Sequence, residues 1–239
     1  MIMTELLFET RDVHTHYSSS HVLRGVNFDI KVGETVALVG RNGMGKTTFI
    51  KTLLQLVKRS SGSIDYRGQD VSQLRTHALM RLGIGYVPEG RGIFPNLSVK
   101  ENLLIAARQG PTGRKDWTYD RVLDTFPRLS ERLQHGGQQL SGGEQQMLSI
   151  GRALMSNPDL IILDEATEGL APIISREIWS IMRRIRDTGI SSLIVDKNFV
   201  SLSKICDRSV VMLKGKIVFN GAPQELIEDP VNLRAWLGV

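Results

Sequence analysis

The chain has 239 residues, 41% of them hydrophobic and 23% charged, which suffices to bury the core of one large domain and argues against disorder. No apolar run approaches the ~20 residues that span a bilayer, and the opening MIMTELLFETRD lacks the basic, apolar and small-residue succession of a secretory signal, so a cytoplasmic chain is expected. The net charge of +5 suits a phosphorylated ligand, nucleic acid or an anionic surface, but the basic residues are scattered without a base-stacking aromatic ladder, and the single Cys206 reads as a packing residue in a reducing compartment.

In chain order, HVLRGVNFDI and TVALVG read as strands joined by KVGE, with Gly33 at the turn. TVALVG is continuously apolar, as a buried strand is, and runs through a glycine-rich loop into KTTFIKTLLQLV, whose apolar spacing is helical. The loop GRNGMGKT, Gly40 to Thr47, fits G-x-x-x-x-G-K-[ST] in the strand-to-helix context that makes this motif a phosphate cradle. Gly40, Asn42, Gly43 and Gly45 let the backbone N–H groups wrap phosphates, and the helix start adds partial positive charge. Lys46 is expected to bridge the β- and γ-phosphates of ATP, Thr47 to ligate Mg²⁺, and Thr48 to contact the nucleotide beside them. A plain glycine turn is the weaker alternative.

From Val99 to about Met155 the pattern is helical, broken by the polar linker RQGPTGRKDWT, and reads as a helical insertion. Within it LSGGEQQ places Ser141 where it could cap the helix GEQQMLSIGRALM. LIIL, Leu160 to Leu163, is a second buried strand, and it delivers Asp164 and Glu165 at its end. Beside a phosphate loop, Asp164 is expected to hold Mg²⁺ and Glu165 to polarise the attacking water; the alternative is a helix start. SREIWSIMRRIRDTG reads as a helix whose basic cluster is a solvated face, SSLIV as a third strand ending at Asp196 and Lys197, and SVVMLKGKIVFNG as a hairpin turning at Lys214 and Gly215, before the short helix PQELIEDP. Strands alternating with helices predict a mostly parallel α/β sheet.

The combination of GRNGMGKTT, LSGGEQQ and LIILDEATEGLAP resembles the ATP-binding subunits of ABC transporters over nearly the whole chain. The resemblance implies an α/β fold: a P-loop NTPase (RecA-like) core with an antiparallel β subdomain over about 1–95 and 156–239, and an inserted helical signature subdomain over about 96–155. It also implies head-to-tail pairing, in which Ser141, Gly142, Gly143 and Glu144 of one chain close over the nucleotide of the other. Tyr17 matches the aromatic that stacks on adenine, with core packing as the alternative. Glu89 falls where most members have a glutamine touching Mg²⁺ and the water, and Ala171 where an aspartate is common. Lys197 stands where the family usually places a histidine on the γ-phosphate. A lysine keeps its charge but cannot serve as a neutral imidazole acceptor near pH 7, so Lys197 is expected to bind the γ-phosphate directly, balanced by Glu89; the rival has it facing solvent while Glu165 alone supports hydrolysis.

GIGYVPEGRGIFPNLSVKENL and ILDEATEGLAP look like subunits of importers for branched-chain amino acids and related amides or urea. That implies a second ATPase subunit, two membrane permeases, a periplasmic binding protein, and a peripheral place on the cytoplasmic face of the inner membrane. Arg91 to Leu97 is the expected permease contact, with Phe94 either an exposed anchor or a core residue. The rivals are an ATPase of the lipopolysaccharide-export type and a soluble ABC ATPase acting on nucleic acid or ribosomes. The chain has neither the coiled-coil insertion nor the tandem domain usual in the latter, so no nucleic acid is expected.

Overall fold

The computed structural model describes residues 5–238; the first four residues of the stretch read for a signal, and Val239, lie outside the described residues. In chain order the elements are β1 (Leu6–Tyr17), β2 (Ser20–Lys31), β3 (Thr35–Val39), α1 (Lys46–Leu53), β4 (Arg59–Tyr66), β5 (Gln69–Asp70), α2 (Thr76–Arg81), β6 (Ile84–Val87), α3 (Val99–Leu104), α4 (Tyr119–Thr125) and α5 (Pro127–Ser130). A 3₁₀ turn at Gly137–Gln139 precedes α6 (Gly142–Leu154), β7 (Leu160–Asp164), α7 (Pro172–Arg186), β8 (Ser191–Val195), α8 (Phe199–Leu202), β9 (Arg208–Leu213), β10 (Lys216–Gly221), α9 (Pro223–Ile227) and α10 (Pro230–Leu237). They form two compact units: the chain up to Met80 together with the chain from Ser191 onward, and Arg81–Ile190 between. Among the described residues no helix is long and apolar enough to cross a membrane.

The first unit contains an antiparallel sheet in the order β2-β1-β4-β5. Along β1, Leu7, Phe8, Val13 and Thr15 are buried while His16 and Tyr17 face out. Asp12, with φ 48°, marks a bulge between Thr10 and Val13 that bends the strand. The same unit carries β3, all five residues buried, in parallel register with β8 and with β9. A strand covered on both faces has to be apolar throughout, which is the pattern read from TVALVG. β10 departs from the parallel rule because a two-residue turn can only reverse the chain. That turn lies at Lys214 (φ 48°) and Gly215 (φ 76°), as expected. Gly215 is obligatory, since a Cβ there would fall 1.8 Å from the Val22 carbonyl oxygen.

The helix read over KTTFIKTLLQLV stops four residues early, at Leu53. Gln55 turns left-handed (φ 57°), and Leu56 N–H bonds back to Lys51 C=O at 2.8 Å and Gln55 N–H to Thr52 C=O at 3.1 Å, a Schellman closure that apolar spacing does not announce. Phe49, Ile50 and Leu53 point inward as the spacing predicts.

In the second unit β6 and β7 pair in parallel from Ile84↔Leu160 to Val87↔Leu163. The expected helical segment holds α3 to α6, and RQGPTGRKDWT between α3 and α4 forms no helix. On α7, Ile178, Ile181, Met182 and Ile185 are buried while Arg183 and Arg184 are exposed, so the basic cluster is a solvated helix face. Cys206, back in the first unit, is buried against Ser209 and packs as expected.

Candidate functional site

The phosphate loop is built where β3 ends. Gly40 has φ 142°, and a Cβ there would meet the Met212 carbonyl at 2.4 Å, so the tight exit from the strand accepts only glycine. Gly45 (φ 104°) stands at the N-cap of α1, where no side chain caps the helix, and a helix start carries the partial positive charge that suits an anion. Lys46 is 6% exposed, and its ammonium donates to the carbonyls of Gly40 at 2.7 Å and Arg41 at 3.1 Å, which folds its stem along the loop. Thr47 and Thr48 are half-buried beside it. The Arg41 N–H donates to Trp236 C=O at 3.2 Å, so the C-terminal α10 braces the loop, a support the motif does not reveal.

The exit of β8 lies against the same loop. Asp196, 6% exposed, accepts the Asn198 N–H at 2.8 Å, and Asn198 in turn caps α8 by accepting the Ser201 N–H at 3.0 Å. This turn presents Lys197 to a cavity of about 390 Å³ that it lines together with Gly40, Arg41, Asn42 and Asp196. Tyr17, at the end of β1, is 45% exposed, which corrects the core-packing alternative and leaves its ring face available for stacking.

The second unit carries the carboxylates. Asp164 is the last residue of β7 and is fully buried; Glu165 follows it half-buried, with φ 56°. A non-glycine residue held left-handed costs of order 1 kcal/mol or more and marks a position that the surroundings impose. Carboxylate oxygens of Glu89, Glu165 and Glu168 lie within 4.8 Å of one another. Burial, and then the negative charges of Asp164 and Glu89, push the Tyr86 hydroxyl pKa well above its usual value. Glu89 and Glu168 are exposed and Glu165 is half-buried, so this cluster opens to solvent. Glu168 joins a cluster whose other members the motifs mark, whereas the motifs place Glu168 only on a loop. Its signal is the Glu-x-x-Glu spacing: the Glu168 N–H bonds back to Glu165 C=O at 3.3 Å, and this turn puts both carboxylates on one side.

The LSGGE segment opens α6. The Ser141 hydroxyl accepts from Glu144 N–H at 3.4 Å and the Glu144 carboxylate accepts from Ser141 N–H at 2.7 Å, a complete capping box, so the capping reading of Ser141 holds. Burial works to raise the Glu144 pKa, but the hydrogen bonds from Ser141 and the charge of Arg132 bring it below the ordinary value. Both glycines sit tight: a Cβ on Gly142 would lie 2.8 Å from the mobile end of Arg91, which could shift, whereas one on Gly143 would lie 2.5 Å from the packed Ile174 side chain. Arg91 also donates to Gln145 at 2.7 Å, a tie from the 91–97 segment to α6 that no motif in the sequence announces. Phe94 is 44% exposed with the Arg152 guanidinium 4.4 Å over its ring, which removes the core alternative.

A strand-loop-helix phosphate cradle and a strand ending in a buried aspartate followed by glutamate define a nucleoside-triphosphate-hydrolysing cassette. Residues 23–168 match the ABC transporter family model, and the chain belongs to that family. BraG, the high-affinity branched-chain amino acid transport ATP-binding protein of Pseudomonas aeruginosa, is 41% identical over 226 residues, covering 95% of this chain and 97% of BraG. LptB, the lipopolysaccharide export system ATP-binding protein of Escherichia coli K12, is 35% identical over 224 residues, covering 93% of each. In fold the chain is similar to the crystal structure of a nucleotide-free ATP-binding cassette from an ABC transporter, with TM-score 0.82 at 23% identity over 98% of this chain and 99% of that one. The chain is an ATP-hydrolysing enzyme and the ATPase subunit of a transporter.

Proposed function

We propose that the chain energises an importer of branched-chain amino acids or related small polar solutes. It works in a head-to-tail pair with a second ABC ATPase subunit, a paralogue, beneath two membrane permeases fed by a periplasmic binding protein. Its place is then peripheral, on the cytoplasmic face of the inner membrane. The observation that carries this reading is the 41% identity to BraG over nearly the full length of both chains. The lipopolysaccharide-export alternative rests on the lower identity of 35% to LptB.

In this reading Gly40 to Thr48 hold the phosphates of ATP, Tyr17 stacks on adenine, and Ser141, Gly142, Gly143 and Glu144, within a helical signature subdomain over about 96–155, contact the nucleotide of the paired chain. The donors available to a metal are a threonine hydroxyl and carboxylates, an all-oxygen set that fits Mg²⁺. Thr47, Asp164 and Glu89 would hold it, and when bound it supplies positive charge to the β- and γ-phosphates. Glu165 orients and deprotonates the attacking water. Lys197 binds the γ-phosphate from the cavity it lines with Gly40, Arg41 and Asn42; its exposure leaves the solvent-facing rival standing, and Lys197→Ala separates the two. Phe94, exposed beside Arg91, anchors the permease.

The test is an affinity pull-down of the tagged chain from detergent-solubilised membranes of its own host. Two polytopic permeases and a second ATPase are expected. Permeases of an export system, or ribosomes without permeases, would overturn the reading.

A further inference from the structure

Three of the five histidines of the chain, His14, His16 and His21, meet on the outer face of the β1–β2 hairpin, away from the phosphate loop motif. His14 and His16 are two residues apart on one strand, hence on the same face, and His21 pairs directly across from His16. The His14 Nδ1 faces the His21 Nε2 at 2.9 Å. The His16 ring stacks on His21 with centroids 4.1 Å apart and planes 10° from parallel. Without a metal, two ring nitrogens at that distance must share a proton, one donating and the other accepting.

Two of the nitrogens not facing inward are already held. His14 Nε2 lies 3.1 Å from the Asp12 carboxylate and His16 Nδ1 lies 2.9 Å from the Ser60 hydroxyl. A carboxylate or hydroxyl on the far nitrogen is the arrangement that fixes tautomer and ring orientation in histidine metal sites. Gly25 keeps room for the first of these pairs, since a Cβ there would sit 2.8 Å from Asp12 Oδ1 and 3.4 Å from His14 Nε2. His14 and His21 are half-buried and His16 is exposed.

We propose that His14, His21 and His16 form a binding site for a borderline divalent transition-metal ion such as Zn²⁺ or Co²⁺, with Asp12 and Ser60 as the outer partners. The ion replaces the shared proton between His14 Nδ1 and His21 Nε2. At metal–nitrogen distances of about 2.0–2.1 Å, tetrahedral coordination sets the two nitrogens about 3.3 Å apart, so the pair opens by only a few tenths of an ångström. The three nitrogens do not converge within 4.8 Å as they stand, so His16 brings in its Nε2 by turning out of the stack about its Ser60 hydrogen bond, a movement open to an exposed ring. Imidazole ligands suit Zn²⁺ and its neighbours over Mg²⁺ or Ca²⁺, which keeps this site chemically separate from the carboxylates of the ATPase centre.

Equilibrium dialysis of the untagged full chain against Co²⁺, without nucleotide, tests the proposal. One Co²⁺ per chain is expected, with the visible absorption of a tetrahedral nitrogen-ligated ion. Affinity is expected to fall at least tenfold in His21→Gln and in the exposed His16→Gln, and about tenfold in Asp12→Asn, while Glu165→Gln retains it. Uptake by the wild type no greater than by His21→Gln and His16→Gln, or loss of binding in Glu165→Gln instead, would overturn it.

Discussion

Glu165→Gln binds ATP about as well as the unaltered chain and turns it over about 10²- to 10⁴-fold more slowly, the range that a positioned general base contributes. Glutamine keeps the length of the side chain and its hydrogen-bonding oxygen but cannot take a proton from water. Glu165 is half-buried, directly after the fully buried Asp164, in a left-handed conformation that glutamine reproduces no worse. The fold should therefore survive, and thermal unfolding with and without ATP checks it. Single-turnover hydrolysis by the assembled transporter reads the effect. Turnover within about threefold of the unaltered chain would remove Glu165 from the chemistry.

Lys197→Ala is expected to reduce ATP turnover by the assembled transporter about 10²-fold, the scale on which removing one preorganised charged or hydrogen-bonding group acts on a developing anion. The side chain is exposed at the rim of the cavity beside Gly40, Arg41 and Asn42, so its removal leaves no hole in the core. Lys197→Arg separates charge from shape. It keeps a cation but exchanges a compact ammonium for a planar fork, and is expected to restore part of the rate. Unchanged turnover in Lys197→Ala would return the mechanism to Glu165 alone.

The phosphate loop is legible in the sequence because its chemistry leaves little freedom. Glycines at Gly40 and Gly45, a lysine and a threonine stand at fixed offsets between an apolar strand and an amphipathic helix, and the structure gives each of these glycines a steric or conformational reason. The strands TVALVG, LIIL and SSLIV are legible for a related reason, since strands buried on both faces must be apolar throughout.

β1 and the β4–β5 hairpin are not legible as strands. Their residues alternate apolar and polar only in part: the bulge at Asp12 breaks the period in β1, and RSSGSIDY carries little apolar signal because Ser60, Ser61 and Gly62 at its start are exposed and only Ile64 and Tyr66 are buried. The early end of α1 is set by a left-handed Gln55, a choice made by the backbone that no hydrophobic pattern reports. In the carboxylate cluster Glu165 and Glu89 stand out in the sequence, but Glu168 does not. Its membership depends on a local turn, to which the Glu-x-x-Glu spacing is the clue, and on the approach of Glu89 from a second strand end, which only tertiary structure supplies.

The histidines show the same limit from the other side. HTH followed by a third histidine carries no motif with fixed spacing, and the hairpin register is what brings the rings together. Three side chains that the ATPase reading leaves unused thus become a defined cluster only once β1 and β2 are paired.

The claim that the chain powers import is tested most directly by uptake of radiolabelled leucine, isoleucine and valine into host cells lacking the chain and complemented with either the unaltered protein or Glu165→Gln. Uptake that is lost on deletion, returns with the unaltered chain and fails to return with Glu165→Gln is the predicted result. Uptake of all three that is indifferent to the deletion, in cells where the chain is otherwise produced, would contradict it.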